Sequence, residues 1–291
     1  MDLEQIKKEL SAGGEHIGDM LFWALADARV DRAALEATWL GAGLDACFLP
    51  EAPTAERALK LAVRESQVGQ RDRLLRLGKE TEEELVFAVV REHHKDDGSL
   101  WYEQEARVSL ERASEKISAD DSTHDLVVAI ESRFRLLRDT HTADDVRRSI
   151  VRALHSFAAV SLREGGGIYW TPYTYASQVR QLQRAIEGIG QSRFYLLPVH
   201  RSAEAEQTLG DVAKASIEEE LAALVAEIDG FLVAPPERPS TLVRRLGTFE
   251  ELRARGQLYQ SVLRTQIQGL DAQLDRLAGV VDGLLLQKSA A

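Results

Sequence analysis

Ala159-Val160-Ser161-Leu162-Arg163-Glu164-Gly165-Gly166-Gly167-Ile168-Tyr169-Trp170-Thr171-Pro172 is the stretch on which the reading of this chain turns. Val160 to Arg163 is predicted as a strand, Gly165 to Gly167 as a turn, and Ile168 to Thr171 as the returning strand. Consecutive glycines tolerate the positive φ that a tight hairpin demands. Pro172 has no N–H to donate and ends the ladder. A helix from Thr174 to Ile189 and a third strand from Phe194 to Val199 follow. The triglycine does not read as a phosphate cradle, because it leads into Ile-Tyr-Trp, a strand, and not into a helix N-terminus.

Upstream, two helices are predicted. The first, Thr123 to Arg138, places Leu126, Val127, Ile130, Phe134 and Leu137 at helical spacing. The second is opened by a capping box formed by Thr142 and Asp145, with Asp in place of Glu or Gln. It runs to Phe157, burying Val146, Ile150 and Leu154 and exposing Arg147, Arg148 and Arg152. Before these helices lies a β-meander: Leu85 to His93, a turn at residues 95–99, Leu100 to Leu110, and a short strand near Lys116 to Ser118. Residues 1–80 read as short helices. Glu15 to Ala28 carries Ile17, Met20, Leu21, Trp23 and Leu25 on one face, Asp31 caps Arg32 to Leu40, and Thr54 caps Ala55 to Gln67. Trp39 is read as packed core in preference to a ligand platform.

Downstream the chain becomes long helix. Leu209, Val212, Ile217, Leu221, Leu224, Ile228 and Phe231 line one side of a first arm, and residues 234–240, with three prolines, break it. In the second arm Leu263, Ile267, Leu270, Leu274, Leu277, Val281 and Leu284 recur at 4-3-4-3-4-3, a coiled-coil seam. Gly247 and Gly256 are expected to bend this arm. The two arms are expected to form an antiparallel hairpin, or to use the seam on another chain.

Composition narrows the class. The 291 residues are 44% hydrophobic and carry a net charge of −11, which argues against indiscriminate binding to nucleic acid. The middle is the exception: residues 124–200 hold ten basic and seven acidic groups. The single cysteine, Cys47, excludes an intramolecular disulfide, fits a reducing, cytoplasmic setting, and is expected to be buried beside Leu44, Phe48 and Leu49. The N-terminal residues Met1–Glu9 lack the apolar core of a signal peptide, and no window is long enough for a membrane span.

Chemistry-bearing patterns are sparse. No histidine pair has HxxxH spacing, and neither a nucleophile elbow nor a Cys/His pattern occurs. Glu103 and Glu105 share a strand face as paired glycosidase carboxylates would, but a solvated face accounts for them more simply. No catalytic, metal-binding or cofactor-binding residue is assigned. The arginine-bearing helix followed by a glycine-tipped hairpin has the order of a winged-helix DNA binder, in which Arg147, Arg148, Arg152 and Arg163 would meet phosphate. The two acids at the helix start oppose that reading.

The quoted stretch, with Phe194-Tyr195-Leu196-Leu197-Pro198 downstream, resembles the core of an uncharacterised family of bacterial and phage proteins. That family carries a Gly-Gly-aliphatic-Tyr-aromatic-x-Pro signature and a helical C-terminus. The resemblance covers residues 140–200 and implies no activity, cofactor or catalytic residue.

The chain therefore reads as α+β and predominantly helical: a helical region over 1–80, an α+β centre over 81–200 with a small antiparallel or mixed sheet of about six strands, and a C-terminal helical coiled-coil hairpin over 201–291. The two helices between residues 123 and 158 are expected to cover that sheet. The function expected is that of a non-enzymatic adaptor. It would meet a protein partner, or a second copy of itself, through Leu263, Ile267, Leu270, Leu274, Leu277, Val281 and Leu284. DNA-binding regulation and an enzyme with an unrecognised site are the alternatives.

Overall fold

The computed structural model describes residues 14–26, 29–96 and 98–289. Met1–Glu9, read above for a leader, lies outside them. The chain forms two units, one from the described residues of 1–26, 42–44 and 150–291, the other from those of 27–41 and 45–149. These units cut across the stretches 1–80, 81–200 and 201–291. The architecture is α+β, with every strand pair antiparallel. Among the described residues the strands sort into two four-stranded sheets and a two-stranded ladder, not one sheet of six.

The second unit begins with β2 (Arg29–Asp31), named after the first unit's β1 (His16–Ala24), and α1 (Arg32–Gly41). Asp31 caps α1 by accepting from the Ala34 N–H at 2.8 Å. Trp39 is fully buried, its indole N–H donating to the Asp45 carbonyl at 2.9 Å. Cys47, expected inside, is exposed: Asp45 caps a short 3₁₀ turn, Ala46–Phe48, that leaves the thiol-bearing residue on the outside. Thr54 caps α2 (Ala55–Gln67) as expected.

Then come β3 (Arg73–Glu80), β4 (Glu84–His94), β5 (Leu100–Glu111) and β6 (Lys116–Ala119), a four-stranded meander. β3 is a correction to the helical reading of residues 1–80. It is an edge strand, largely exposed, and its pairing with β4 defines it more than its own pattern does. Leu85, Phe87 and Val89 of β4 and Ala106, Val108 and Leu110 of β5 pack against α2 and α3 (Asp125–Asp139). The covering helices are thus α2 and α3, not the pair between 123 and 158. After β7 (Thr140–Thr142), which pairs with β2, the capping box opens α4 (Ala143–Ser156). Thr142 Oγ1 accepts from the Asp145 N–H at 3.2 Å, and Asp145 accepts from the Thr142 N–H at 2.9 Å.

In the first unit β1 is the second correction, a strand where the apolar spacing predicts a helix. It runs between β9 (Tyr169–Pro172) and β10 (Arg193–His200), and β8 (Val160–Ser161) completes the order β10-β1-β9-β8. β1 is paired along both edges and carries apolar side chains on both of its faces, so its apolar run does not alternate and imitates a helix face. The quoted hairpin is confirmed. Gly165, Gly166 and Gly167 all have positive φ (76°, 80° and 98°), and the Leu162 N–H donates to the Ile168 carbonyl at 2.9 Å. Pro172 is the last residue of β9, opposite Gly18. A 3₁₀ turn, Tyr173–Tyr175, precedes α5 (Ala176–Glu187).

The C-terminal arm has three helices: α6 (Ala203–Val233), α7 (Pro239–Leu263) and α8 (Leu270–Ser289). α6 and α7 form the expected antiparallel hairpin about the proline loop, tied by Glu227 to Arg245 (2.9 Å) and by Glu220 to Arg255. The second arm is not one helix, however. Arg264 turns left-handed (φ 51°), Gly269 has φ 74°, and α8 returns along α7, with Arg253 meeting Asp271 at 3.4 Å and Asp275 at 2.5 Å. Gly247 and Gly256, expected as bends, lie inside continuous α7. Nor does the arm stand away from its unit: Ile17, Val160 and Trp170 share one core with Leu221, Phe249, Tyr259 and Leu274.

Candidate functional site

The hub of the first unit is the junction of α4, the hairpin and α7. α4 ends in a Schellman motif, the Ala159 N–H bonding to the Leu154 carbonyl and the Ala158 N–H to that of His155. Ala158 takes the left-handed position (φ 51°) where glycine is usual. Its carbonyl accepts from the Tyr259 hydroxyl at 3.0 Å in the core, and the Tyr259 ring lies 6.3 Å from Trp170. Burial raises the Tyr259 phenol well above its ordinary pKa of 10.0, because a phenolate there would have no water around it.

Above this junction opens a cleft of about 770 Å³. One wall is the last turn of α4 with His155 and Ser156, together with Thr174 and Tyr175 of the 3₁₀ turn. The other is helical: Glu220 of α6, and Thr248, Glu251, Arg255 and Leu258 of α7. Tyr175 is held against Phe157, with ring centroids 6.0 Å apart. Arg255 is neutralised by Glu220, whereas Glu251 is exposed and has no ion-pair partner among the described residues. Small-ligand sites occupy roughly 300–1,000 Å³, so the cleft has the volume of one. The cleft has no signature in the sequence, because its walls come from four separated segments, none carrying a motif.

The seam residues lie together. Leu263, Ile267, Leu270, Leu274, Leu277, Val281 and Leu284 are all buried in the core that α6 and α7 share with α8. Leu263 is the last residue of α7, Ile267 lies in the connection, and the other five follow α8. Toward the proline-loop end of the arm, at the end of α6, the start of α7 and the end of the returning α8, large apolar side chains stay outside: Leu232 (55% exposed), Val233 (88%), Val243 (57%) and Leu286 (72%).

Arg147 and Arg148 are exposed on the first turns of α4, each in an ion pair with an acid three residues earlier, Asp144 and Asp145. Arg152 is exposed one turn on, and Arg163 is exposed in the β8–β9 connection. The hairpin is not a free wing, since β9 pairs with β1 along its other edge.

Two carboxylates are set apart by their surroundings. Glu105, read as solvated, sits at a β-bulge opposite Val89 and Val90 and is ion-paired to Arg73 (2.7 Å), His124 (3.1 Å) and Arg91 (3.3 Å). Burial opposes its charge, but hydrogen bonds from Arg73 and His124 and the charges of Arg73 and Arg91 hold its pKa below the usual glutamate value. Asp19 on β1, within a stretch read as helix, is 1% exposed. Its Oδ1 makes no hydrogen bond, with His16 Nε2 at 3.3 Å and Arg180 at 3.8 Å. Among the described residues no group of three or more His, Cys, Asp or Glu side chains could hold a metal ion, and no helix is long and apolar enough to cross a membrane.

A hub of hairpin and helical arm, in an α+β chain, is what the structure defines. By its sequence over residues 16–290 the chain belongs to DUF6744, a family of unknown function. A search of curated proteins found no match.

Proposed function

We propose that this chain is a non-enzymatic adaptor or assembly protein that holds a protein partner, or a second copy of itself, at the free end of its C-terminal arm. The observation carrying the proposal is the contrast between the two apolar surfaces of the arm. The heptad seam is buried within the chain, so it is already occupied. Leu232, Val233, Val243 and Leu286 are left in water at one end. A scattered exposed leucine is ordinary, but four large aliphatic residues at one tip are the pattern of an interaction surface. A reducing, cytoplasmic setting belongs to the same reading, supported by a sequence with one cysteine.

Deleting residues 203–291 is a poor test, because it would strip Ile17 and Trp170 of their cover. Substituting Leu232, Val233 and Val243 together by serine changes the tip alone. Capture of the tagged chain from cells that also make an untagged copy should retain a stoichiometric companion, which the tip variant releases. A companion held equally by both, or absent from both, contradicts the proposal.

A further inference from the structure

We infer that the cleft between the end of α4 and helix α7 binds an organic cation: a guanidinium or ammonium group on a short apolar stem. The charge balance of its walls sets the sign. Arg255 and Glu220 cancel each other across the helical wall, which leaves Glu251 as the unpaired carboxylate of a lining whose other ionisable side chains are the His155 imidazole and the Tyr175 phenol. The last turn of α4 adds to it, because the carbonyl end of a helix carries partial negative charge and favours cations. Tyr175 supplies an aromatic wall, fixed by its contact with Phe157, on which a cation gains from the ring face. Leu252, Ala254 and Leu258 line the cleft with apolar surface for a stem, and Ser156, Thr174 and Thr248 offer acceptor oxygens to N–H donors. An anion would meet Glu251 and a helix C-terminus together, and is disfavoured by both.

The same chemistry is carried by a free polyamine-like molecule and by a basic side chain of a protein partner, and the two are separable. Agmatine and the blocked peptide acetyl-Gly-Arg-Gly-amide are titrated by calorimetry into the full chain, into Glu251→Gln, and into Glu250→Gln as a neighbouring control. Glu250 is engaged with Arg253 and does not line the cleft. Loss of one charge-assisted contact should weaken binding about tenfold in Glu251→Gln and leave Glu250→Gln like the parent. Agmatine binding alone identifies a free cation as the occupant, while tighter binding of the peptide identifies a basic segment. Binding of neither probe, or binding indifferent to Glu251→Gln, overturns the inference. Circular dichroism confirms that both variants fold, since each substitution is on an exposed helix position.

Discussion

A methyl group added at Gly18 and one added at Gly256 would each collide with a neighbour, but the neighbours differ. At Gly18 the new carbon would lie 2.3 Å from the Thr171 carbonyl oxygen and 2.5 Å from the Trp170 indole nitrogen. The first is backbone of the adjacent strand and the second a fully buried ring, so neither can give way. Gly18→Ala should therefore cost about 3 kcal/mol, read as a lowered urea midpoint. At Gly256 the obstacle is a methyl of Leu270, 2.4 Å away, which can rotate. Ala also gains about 1 kcal/mol over Gly inside a helix, so Gly256→Ala should stay within about 1 kcal/mol of the parent. Tyr259 gives a pH test. Its pKa is raised in the folded state above the ordinary value of 10.0, so the folded chain keeps a proton that the unfolded chain loses. Stability is then intact below pH 10 and falls as pH rises above it, by about 1.4 kcal/mol per unit. Tyr259→Phe should cost about 1 kcal/mol at neutral pH and lack that alkaline loss. Parallel curves for the two proteins between pH 9 and 11 would refute the assignment.

At the scale of elements, the capping box of α4 is a local device with a local cost. Thr142→Ala removes the acceptor for the Asp145 N–H and the hydroxyl that donates to the Asp145 carboxylate at 2.6 Å. A loss of about 1–2 kcal/mol is expected, measured by thermal melting, and Thr142→Ser should restore most of it. This box, the caps at Asp31 and Thr54, the triglycine hairpin and strands β4 to β6 were legible because each is written in neighbouring residues. β1 was not. Its pairing partners are some 150 residues or more away, on β9 and β10, and apolar side chains on both of its faces give a run instead of an alternation. β3 was missed for the opposite reason, being an edge strand whose exposed residues carry little pattern. The heptad seam was legible as apolar spacing, yet the spacing alone hid a chain reversal at Arg264 to Gly269. Ile267 keeps its place in the core from within the connection, so the 4-3 rhythm continues through a break in the helix. The cleft left no sequence signal, because its chemistry arises only when α4, the 3₁₀ turn and α7 meet.

For the whole molecule, the arm is a self-satisfied helical bundle rooted in the sheet. Its base is fixed by the Tyr259 bond to Ala158, and the Arg201 guanidinium donates to the Val262 carbonyl at 3.1 Å near the end of α7. From Val243 at the tip to Tyr259 at the base α7 rises about 24 Å, so the apolar tip and the Tyr259 anchor sit at opposite ends of the helix. Because the tip side chains are exposed, each replacement should shift stability by no more than about 0.5 kcal/mol. A change in association then reports binding and not unfolding. Quantitative capture of the full chain, side by side with the Leu232, Val233 and Val243 serine variant, is the most direct test of the proposed adaptor role. A companion, a partner protein or a second copy of the chain, is expected to be retained at constant stoichiometry by the parent and lost by the variant while the variant still melts cooperatively. A companion retained equally by both proteins, or none retained by either, would contradict it.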